Sequence, residues 1–548
     1  MQKYIYKNKL LFSLEIAFQV IDSILGVLFA FMLAFVIDAA SSGNIQNLIY
    51  SIYLSIAFII LSAIIDNIVL YIRNKLNYKI EVALRNDVFK GILNKKITDF
   101  TKVSGGSYIS IINNDIREIE DTYFPYYRAM FAVAIRFVIS SAGLIFLDPL
   151  VAIICVLISA IPLITPLIFG KKLSKLEAIR SEFAGKFNEK VKELIDGFEI
   201  IKIFNIEKNA LNIFKNSNTI RADKEYKLGI LKGISNNVNQ NIGTFAHLIN
   251  IIVAGFFVVN GHITVGSILA IIQLSGSIIV PFTQSSAFLT GIKASKEIRE
   301  KTLEIIESKD SKEREKSIDN VENIIVSNIS LSLGDNKNIL KNINFTFKKG
   351  KKYALVGESG SGKTTLIKTI MGYNDEYEGN IKIGKTEVKD INRENLYSKL
   401  AMVGQNVFVL EDSLKNNITL YNEYSNESYE NVIKLANLEG VNLENSTNLS
   451  GGQKARIGIA RALIKGAEAL MMDETSASLD NETASLIENS LLELEQMIIF
   501  ITHKYNKSIL QKYDEILVMR DGKIIETGTF DTLYEEKGYF YSLYNLGN

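Results

Sequence analysis

The chain has 548 residues, of which 61 are Lys or Arg and 60 are Asp or Glu, so its formal net charge is +1. This length predicts more than one domain, and the balanced charge gives no indication of a nucleic-acid partner. The single cysteine, Cys155, excludes an intrachain disulfide framework and a cysteine-based metal site.

The first half of the chain contains six apolar stretches that are long enough to cross a bilayer. A spanning helix needs about 20 mostly apolar residues. Any one stretch alone could be a buried core helix, but six in one half of the chain favour membrane spans. The sequence therefore predicts an α-helical transmembrane domain at 1–300, with spans near residues 11–36, 47–72, 124–146, 150–170, 242–260 and 265–289.

The charge of the connecting loops predicts the orientation of these spans. The long connections at 73–123 and 171–235 are rich in Lys and Arg, whereas the short connections have neither residue. Because positively charged loops stay in the cytoplasm, we expect the N-terminus, both long loops and everything after the sixth span to lie inside. The N-terminus also lacks a small-residue cleavage site, so we expect no removable signal peptide. The predicted location is the cytoplasmic membrane.

Several ionisable residues fall within the predicted spans. Such residues usually face the protein interior or a water-filled cavity. Some could line a substrate path, and others could snorkel or form interhelical pairs. We expect the second for Glu15 and Asp66, near the cytoplasmic ends, and both readings stay open for Arg136 and His247. Asp22 lies seven residues after Glu15, on the same helix face.

The long inside loops show helical spacing and should extend the spans into the cytoplasm. Two turn-like sites interrupt them, at 104–107 and 196–197. After the sixth span, a charge run at 309–316 is most simply a solvated linker. We therefore predict a charged linker at 301–320 and a second domain at 321–548.

Residues 357–365 read Gly-Glu-Ser-Gly-Ser-Gly-Lys-Thr-Thr, which is a complete phosphate-binding loop. An apolar run at 353–356 suits a buried strand before it, and 365–370 suits a helix after it. Glycines let backbone N–H groups turn toward an anion, and the helix N-terminus adds partial positive charge. Lys363 would reach the β- and γ-phosphates, and the Thr364 hydroxyl would hold Mg²⁺. The residues predicted to bind the nucleoside triphosphate here are Gly357, Glu358, Ser359, Gly360, Ser361, Gly362, Lys363, Thr364 and Thr365.

The remaining strands of the second half predict an α/β domain. A strand at 469–472 ends in Asp473 and Glu474, the expected form for a buried parallel strand that delivers carboxylates at its carboxyl edge. Asp473 would hold Mg²⁺ through water, and Glu474 would accept a proton from the attacking water or orient it. A further strand at 497–501 leads to His503, and a hairpin turns at Asp521 and Gly522.

The sequence Leu449-Ser450-Gly451-Gly452-Gln453 is highly specific, and with it the chain resembles the ATP-binding cassette (ABC) transporters. Gln405 resembles the Q-loop glutamine, the run 476–480 with Asp480 resembles the D-loop, and His503 matches the switch histidine. The layout of six spans and then one cassette resembles the half-transporters of the exporter type. The resemblance covers essentially the whole chain and implies the α-helical six-span domain followed by an α/β phosphate-loop ATPase.

The resemblance implies ATP and Mg²⁺ as cofactors and a second half-transporter as partner. Gln405 would contact both ATP and the metal, with Thr364 and Asp473 as the other metal residues. The signature residues of one copy would face the γ-phosphate at the partner's phosphate loop, and they are Ser450, Gly451, Gly452 and Gln453. Because Glu474, His503 and the signature are all intact, a homodimer is the simpler expectation, and a heterodimer remains possible.

Two further expectations come from the resemblance. Each inside loop should form a short coupling helix that lies on a cassette, and we place these helices around 104–114 and 199–214. Exporter-type cassettes usually carry an aromatic residue that stacks on adenine, and alignment puts Leu333 at that position. The stretch before the signature, 439–448, is shorter than usual and shows no Gly-Glu element.

The leading functional hypothesis is ATP-driven export by alternating access in the cytoplasmic membrane. One alternative is import of a metal–siderophore complex, because some family members with this layout work in that direction. A second is an ATP-gated channel or regulatory membrane protein, against which the intact Glu474 argues. Six spans exclude a soluble cassette ATPase. The sequence leaves lipid, drug, peptide and siderophore open as substrates.

Overall fold

The computed structural model describes residues 1–103, 105–308, 314–333, 337–440, 449–475 and 480–547, except the side chains of Ser286, Thr290, Ala294, Leu333, Lys337, Asn481 and Gly547. The chain forms two compact units. One contains Met1–Lys95 and Val103–Lys309, and the other contains Lys96–Lys102 and Asp310–Asn548. The change from one unit to the other falls inside the predicted linker at 301–320.

In the described residues of the first unit every secondary-structure element is a helix, and turns or short loops join the helices. Within these described residues, six helical segments are long and apolar enough to cross a membrane, which confirms the six predicted spans. The longest, of 49 and 53 residues, are about 74 and 80 Å long at 1.5 Å per residue, far beyond the roughly 30 Å of a bilayer core. The α-helices of this half of the chain, of which α4 alone belongs to the second unit, are α1 Lys3–Lys7, α2 Lys9–Ser41, α3 Ile45–Leu93, α4 Ile97–Thr101, α5 Gly105–Ser110, α6 Ile116–Glu118, α7 Phe124–Leu147, α8 Pro149–Ser159, α9 Ile164–Asp196, α10 Phe198–Ile203, α11 Glu207–Val259, α12 Gly266–Ala294 and α13 Lys296–Glu307.

The first inside loop breaks earlier than the sequence predicts. Residues 105–107 are helical, and α5 continues through two π-helical turns and α6 into α7. The short helix of this loop is α4, so placing a coupling helix around 104–114 is wrong. The side chains of Tyr108 and Ile111 are buried in the core of the first unit, and this packing keeps a glycine-containing segment helical. Ser104 itself lies outside the described residues.

The second inside loop breaks close to the predicted place. Helix α9 ends at Asp196, as the Asp196–Gly197 turn predicts, and the short helix α10 spans Phe198–Ile203. This overlaps only the beginning of the predicted 199–214, because residues from Glu207 onward already belong to α11.

Ion pairs connect neighbouring spans of the first unit. Glu15 on α2 is buried and accepts hydrogen bonds from Arg128 on α7, at 3.2 Å, and from Arg73 on α3, at 3.3 Å. Seven residues further along α2, Asp22 accepts from Arg136 on α7 at 3.0 Å. The interhelical pairing expected for Glu15 is thus present, and Arg136 is also paired.

Helix α13 closes the first unit by packing on the C-terminal end of α3. A Cβ at Gly91 would lie 2.1 Å from the Ile305 carbonyl oxygen, so only glycine allows the two backbones to approach this closely. The Ser308 hydroxyl donates to the Gly91 carbonyl at 2.7 Å. The first part of the predicted linker is therefore packed helix.

One residue near the end of the charge run, Arg314, is buried on the second unit. Arg314 donates to Asp375 at 2.6 Å and to the Lys389 carbonyl at 3.0 Å, and its side chain is 4% exposed. Glu315 and Lys316, which follow it, are exposed, so within the described part of the run only Arg314 departs from the predicted solvated segment. A run of charges predicts a solvated segment only where the charges find no partners.

The second unit is an α/β domain with two sheets, as predicted. An antiparallel sheet has the order β2-β1-β4-β5, and a mainly parallel one has the order β10-β9-β3-β8-β7-β6. The strands are β1 Asn323–Leu333, β2 Lys337–Lys348, β3 Lys352–Gly357, β4 Glu378–Ile383, β5 Thr386–Glu387, β6 Leu400–Val403, β7 Ala469–Asp473, β8 Met497–Ile501, β9 Glu515–Arg520 and β10 Lys523–Gly528. The helices are α14 Lys363–Ile370, α15 Arg393–Lys399, α16 Leu414–Thr419, α17 Asn426–Leu435, α18 Gly451–Ile464, α19 Asn481–Leu492, α20 Lys507–Leu510, α21 Phe530–Glu535 and α22 Tyr539–Gly547.

Both faces of the parallel sheet are buried. In β3, Tyr353 and Leu355 enter one hydrophobic core, and Ala354 and Val356 enter the other. This alternation explains why the strand reads as a continuous apolar run. Strands β3, β7 and β8 run parallel, so the segments that follow them leave the sheet at one edge.

The close approach at Gly91 gives a stability prediction. Gly91→Ala should destabilise the first unit by roughly 1–3 kcal/mol, because the methyl group would force α3 and α13 apart. Gly229→Ala is the matched control, since no atom lies within 4 Å of a Cβ there, and alanine favours a helix by up to about 1 kcal/mol. Thermal unfolding in detergent, followed by helical circular dichroism, measures both. Equal unfolding temperatures for the two variants would contradict the packing.

Candidate active site

The phosphate loop joins β3 to α14 and depends on its glycines. Gly357, Gly360 and Gly362 have φ values of +149°, +82° and +102°, a region that favours glycine. At Gly357 a Cβ would also lie 2.2 Å from the Met519 carbonyl oxygen of β9. The backbone of the loop, without side chains at these glycines, therefore packs closely against the edge of the sheet. Its N–H groups lie at the N-terminus of a helix, which is the arrangement that binds phosphate.

Lys363 folds over this loop. Its Nζ donates to the carbonyls of Gly357 and Glu358, each at 2.9 Å, and the side chain is 4% exposed. Burial lowers the pKa of the Lys363 ammonium, and Glu474 and Asp473 partly oppose that shift. Ser361 is also buried, whereas Glu358, Ser359 and Gly360 form the exposed tip of the loop. The residues predicted to bind the triphosphate thus form one loop, and the Lys363 side chain hydrogen-bonds to the backbone of that loop.

A pair of oxygens lies beside the loop where Mg²⁺ was predicted. The Thr364 hydroxyl donates to Asp473 Oδ1 at 2.8 Å. Burial raises the pKa of the Asp473 carboxyl, the hydrogen bond from Thr364 opposes this, and the charge of Glu474 adds to the rise. A hydroxyl and a carboxylate oxygen are hard ligands, so they fit an ion that takes its remaining ligands from water and phosphate. The two predicted metal residues of this pair therefore lie together.

Glu474 lies between two side chains from other strands. Gln405 Nε2, just after β6, donates to one carboxylate oxygen at 3.1 Å, and His503 Nε2, after β8, contacts the other at 2.8 Å. The Glu474 backbone has a φ of +52°, unusual for a residue with a Cβ, and its N–H donates to the Ile501 carbonyl at 3.2 Å. Three sequence motifs that lie up to 98 positions apart meet at this carboxylate.

The signature residues cap a separate helix. Ser450 is the N-cap of α18, and its hydroxyl accepts from the Gln453 N–H at 3.2 Å, while Gln453 Oε1 accepts from the Ser450 N–H at 2.9 Å. This capping box holds Gly451 and Gly452 at the first turn. Ser450 and Gly451 are exposed. The signature therefore presents an exposed helix N-terminus on the surface of the cassette.

The other predicted site residues are placed as follows. Asp480 is exposed and caps α19 by accepting from the Thr483 N–H at 2.8 Å, and this backbone hydrogen bond lowers the pKa of its carboxyl. Thr365 lies in the first turn of α14. The side chain of Leu333, the D-loop residues 476–479 and the stretch 441–448 lie outside the described residues.

Sequence reasoning missed a contact to the phosphate loop. The Tyr539 hydroxyl on α22 donates to Glu358 Oε1 at 2.6 Å, and the Arg520 guanidinium lies 4.8 Å from the Tyr539 ring centre. Partial burial, with the Glu358 hydrogen bond adding to it, raises the pKa of Tyr539 to about 12. No motif marks Tyr539, because it is 181 positions from Glu358.

A second missed contact fixes the segment that carries Gln405. Arg461 on the signature helix donates to the Phe408 carbonyl at 2.5 Å and to the Asn417 carbonyl at 2.6 Å. Burial lowers the pKa of the Arg461 guanidinium. The signature helix is thereby tied to the loop after β6. Only a spacing rule specific to this family would have found the pair in the sequence.

Comparisons with known proteins agree with this geometry. The family model described as ABC transporter matches residues 340–477, and the model described as ABC transporter transmembrane region matches residues 11–282. The chain is 27% identical over 505 residues to an ATP-dependent lipid A-core flippase of Francisella tularensis, covering 87% of this chain and 81% of the relative. It is 27% identical over 517 residues to the multidrug resistance-like ATP-binding protein MdlB of Buchnera aphidicola, covering 92% and 89%.

A solved structure has the same fold. A bacterial Atm1-family ABC exporter with ATP bound superposes with a TM-score of 0.84 and 19% sequence identity, covering 96% of this chain and 98% of that one. The fold of the whole chain, spans and cassette together, is thus that of a known exporter architecture.

The Tyr539 contact gives a prediction for the loop. Tyr539→Phe should weaken ATP binding about two- to tenfold, because the exposed loop tip loses a hydrogen bond that holds Glu358 in place. Tyr541→Phe on the same helix is the matched control and should bind ATP as the unsubstituted protein does. Equilibrium binding of a fluorescent ATP analogue measures both. Equal affinities for the two variants would remove Tyr539 from the site.

Proposed function

Because this chain belongs to the ABC transporter family, with six spans fused to one cassette, we propose that it is an ATP-driven exporter that works as a dimer of half-transporters. It is an ABC ATPase coupled to transport and a multi-pass membrane protein. The bacterial relatives and the loop charges support a cytoplasmic membrane, with the N-terminus and the cassette inside.

The observation that carries the proposal is the geometry at Glu474. This carboxylate would accept a proton from the attacking water or orient it, and Gln405 and His503 hold its two oxygens at 3.1 and 2.8 Å. Held at both oxygens, the carboxylate has a defined direction, which is what positioning a water requires. An intact hydrolytic site supports repeated turnover over simple gating.

The neighbouring residues would receive the phosphates. Lys363 would leave the loop carbonyls and pair with the β- and γ-phosphates, and the loop N–H groups would bind the same oxygens. Thr364 and Asp473, with Gln405, would hold Mg²⁺, which when bound neutralises phosphate charge. The exposed tip of the loop at Glu358 would not contact the phosphates, and its hydrogen bond from Tyr539 would remain.

The exposed signature supports a dimer. An uncovered helix N-terminus with two glycines is an anion site, and a second copy's ATP would supply the anion. Two ATP molecules would then bridge two cassettes. Moving a pair from mostly open to mostly closed needs about 5.5 kcal/mol of differential binding. Several charge-assisted contacts to each triphosphate supply energies of that order, and hydrolysis removes them.

Helix α10 offers an apolar contact for the partner. Its Phe198, Ile200 and Ile203, with the following Phe204, are 60–69% exposed. Such a cluster on a cytoplasmic loop supports burial against another chain. In line with the family resemblance, this helix would dock on the partner's cassette. Purification that yields one kind of subunit would support the homodimer, and two kinds would support the heterodimer.

The direction of transport is supported by the relatives. The names of two of them, a lipid flippase and a multidrug resistance-like protein, are consistent with movement out of the cytoplasm. Import of a metal–siderophore complex is the second candidate, since the sequence layout alone allows it. In reconstituted vesicles, ATPase stimulation by an iron chelate would favour import, and ATP-driven movement of a substrate away from the cassette side would favour export.

Replacing the proposed base tests the hydrolytic assignment. Glu474→Gln should keep ATP bound and lower turnover by about 100-fold or more, because the amide cannot accept the proton. Single-turnover hydrolysis and retention of ATP on a gel-filtration column measure the two effects. Glu482→Gln, in the first turn of α19, is the control with normal turnover. Normal turnover in Glu474→Gln would refute the assignment.

Closure of the dimer is tested with spin labels. Because Cys155 is the only cysteine, a Cys155→Ser, Lys523→Cys chain carries one label per copy. Magnesium ATP should shorten the distance between the two labels in a bilayer. Lys363→Ala in the same background should abolish ATP binding and leave the distance unchanged. An unchanged distance in the ATP-competent chain would overturn the dimer mechanism.

A further inference from the structure

A cavity of about 360 Å³ lies between α2, α3, α7 and α12 in the first unit. This size falls within the roughly 300–1,000 Å³ of small-molecule sites. The lining combines apolar side chains with arginines. The apolar side includes Phe12, Ile16, Val133 and Phe288, and the charged side includes Glu15, Arg73, Arg128 and Arg136. Asp66 and His247 do not line this cavity.

Positive charge exceeds negative charge in this lining. The three guanidinium groups of the lining pair with only two carboxylates, that of Glu15 in the lining and that of Asp22, which contacts Arg136 from outside it, so one positive charge is not neutralised. Arg128 is buried and donates hydrogen bonds to both carboxylate oxygens of Glu15, at 3.3 and 3.2 Å. Arg73 reaches the same carboxylate only through Nε, at 3.3 Å. The excess charge therefore lies mainly at Arg73.

The two outer arginines keep donors available. The side chains of Arg73 and Arg136 are each 46% exposed, and each makes one hydrogen bond within the part of the chain that the structure describes. A guanidinium has five N–H donors and suits two-oxygen anions such as carboxylate and phosphate. An uncompensated guanidinium charge that is partly buried between helices attracts an anion more strongly than it would in bulk water.

We propose that this cavity binds the transported substrate and that the substrate is an amphipathic molecule with one anionic headgroup. The headgroup binds Arg73 and Arg136, and the apolar part packs on the Phe12 and Phe288 side of the cavity. The headgroup belongs either to a membrane lipid or to a single-chain amphiphile that enters from water. This inference rests on the proposed exporter function, since it names the substrate class of that transporter.

The absence of tryptophan allows a direct binding test. The chain has no Trp, so Phe288→Trp places a single fluorophore in the cavity lining, and Phe12→Trp is a second reporter if the first variant does not fold. The protein is reconstituted in phosphatidylcholine bilayers without nucleotide. The quenchers are four brominated probes: a fatty acid, a phosphatidylglycerol, a phosphatidylcholine and an alkyltrimethylammonium. Phe256→Trp, at a residue 68% exposed on α11, reports simple partition into the bilayer.

Saturable quenching at the cavity by an anionic probe, with only unsaturable quenching at Phe256→Trp, is the expected result. Quenching by phosphatidylglycerol alone identifies a lipid headgroup, and quenching by the fatty acid alone identifies a single-chain amphiphile. Either result supports the proposal. Equal saturable quenching by the cation or by phosphatidylcholine overturns it, and so does the lack of saturable quenching by both anions.

Charge variants test which residues bind the headgroup. Arg73→Gln and Arg136→Gln should each weaken the anion about tenfold, the value of one charge-assisted hydrogen bond. Asp22→Asn should tighten it, because the net charge of the cavity rises. Lys75→Gln, an exposed residue of α3 outside the lining, should bind the anion unchanged. Unchanged affinity in both arginine variants would overturn the proposal.

The binding test is independent of the proposed function. Quenching is measured without ATP, so a chain that binds the anion but shows no ATP-driven closure would contradict the exporter mechanism only. A chain with normal ATPase activity and closure that binds cation and anion equally would contradict the substrate class only.

Discussion

The register of the parallel strands β3, β8 and β7 is the constraint on which the candidate active site depends. Leu355 and Asp473 both pair with Ile501, so β7 and β8 end at one level of the sheet and β3 ends two residues beyond it. The phosphate loop, Glu474 and His503 follow those ends. A shift of one residue in β7 would reverse the faces of its side chains and move Glu474 away from His503. The buried apolar faces of the sheet fix this register and thereby fix the chemistry.

The sequence predicted the local features of the structure. It did not predict the contacts between segments that are distant in the chain. The phosphate loop, the strand before Asp473 and the six spans each depend on spacing within about 30 residues, which a pattern records. The contact between Tyr539 and Glu358 depends on where α22 packs, and no period encodes it. The misplaced turn at 105–107 has a different origin. Two adjacent glycines favour a turn, but burial of Tyr108 outweighs that local preference.

The ion pairs between the spans have a structural role as well as the proposed one in binding. Glu15 with Arg128 and Asp22 with Arg136 form two successive contacts between α2 and α7, about 11 Å apart by helical rise. Desolvation offsets the attraction in the buried Glu15–Arg128 pair, and solvent screens it in the partly exposed Asp22–Arg136 pair, so both contribute little net stability. They nevertheless penalise any other alignment of the helices. The pairs therefore fix the relative positions of α2 and α7. Because this alignment pairs the Glu15 carboxylate with Arg128, the positive charge of Arg73 is left in excess.

The short helix α4 lies next to the segment that holds Glu474. Lys96–Lys102 packs with the second unit, and Lys96 donates to Asp375 at 3.2 Å. Ile97 lines a groove of about 450 Å³ together with Gly404, Asn406, Val407 and Phe408. Gln405 lies in the middle of that segment and hydrogen-bonds Glu474. Any displacement of the loop between α3 and α5 must therefore change either the packing of this groove or the position of Gln405. The Glu474 carboxylate is thus two contacts away from a loop that continues directly into the second and third spans, and these contacts connect those spans to the proposed hydrolytic site.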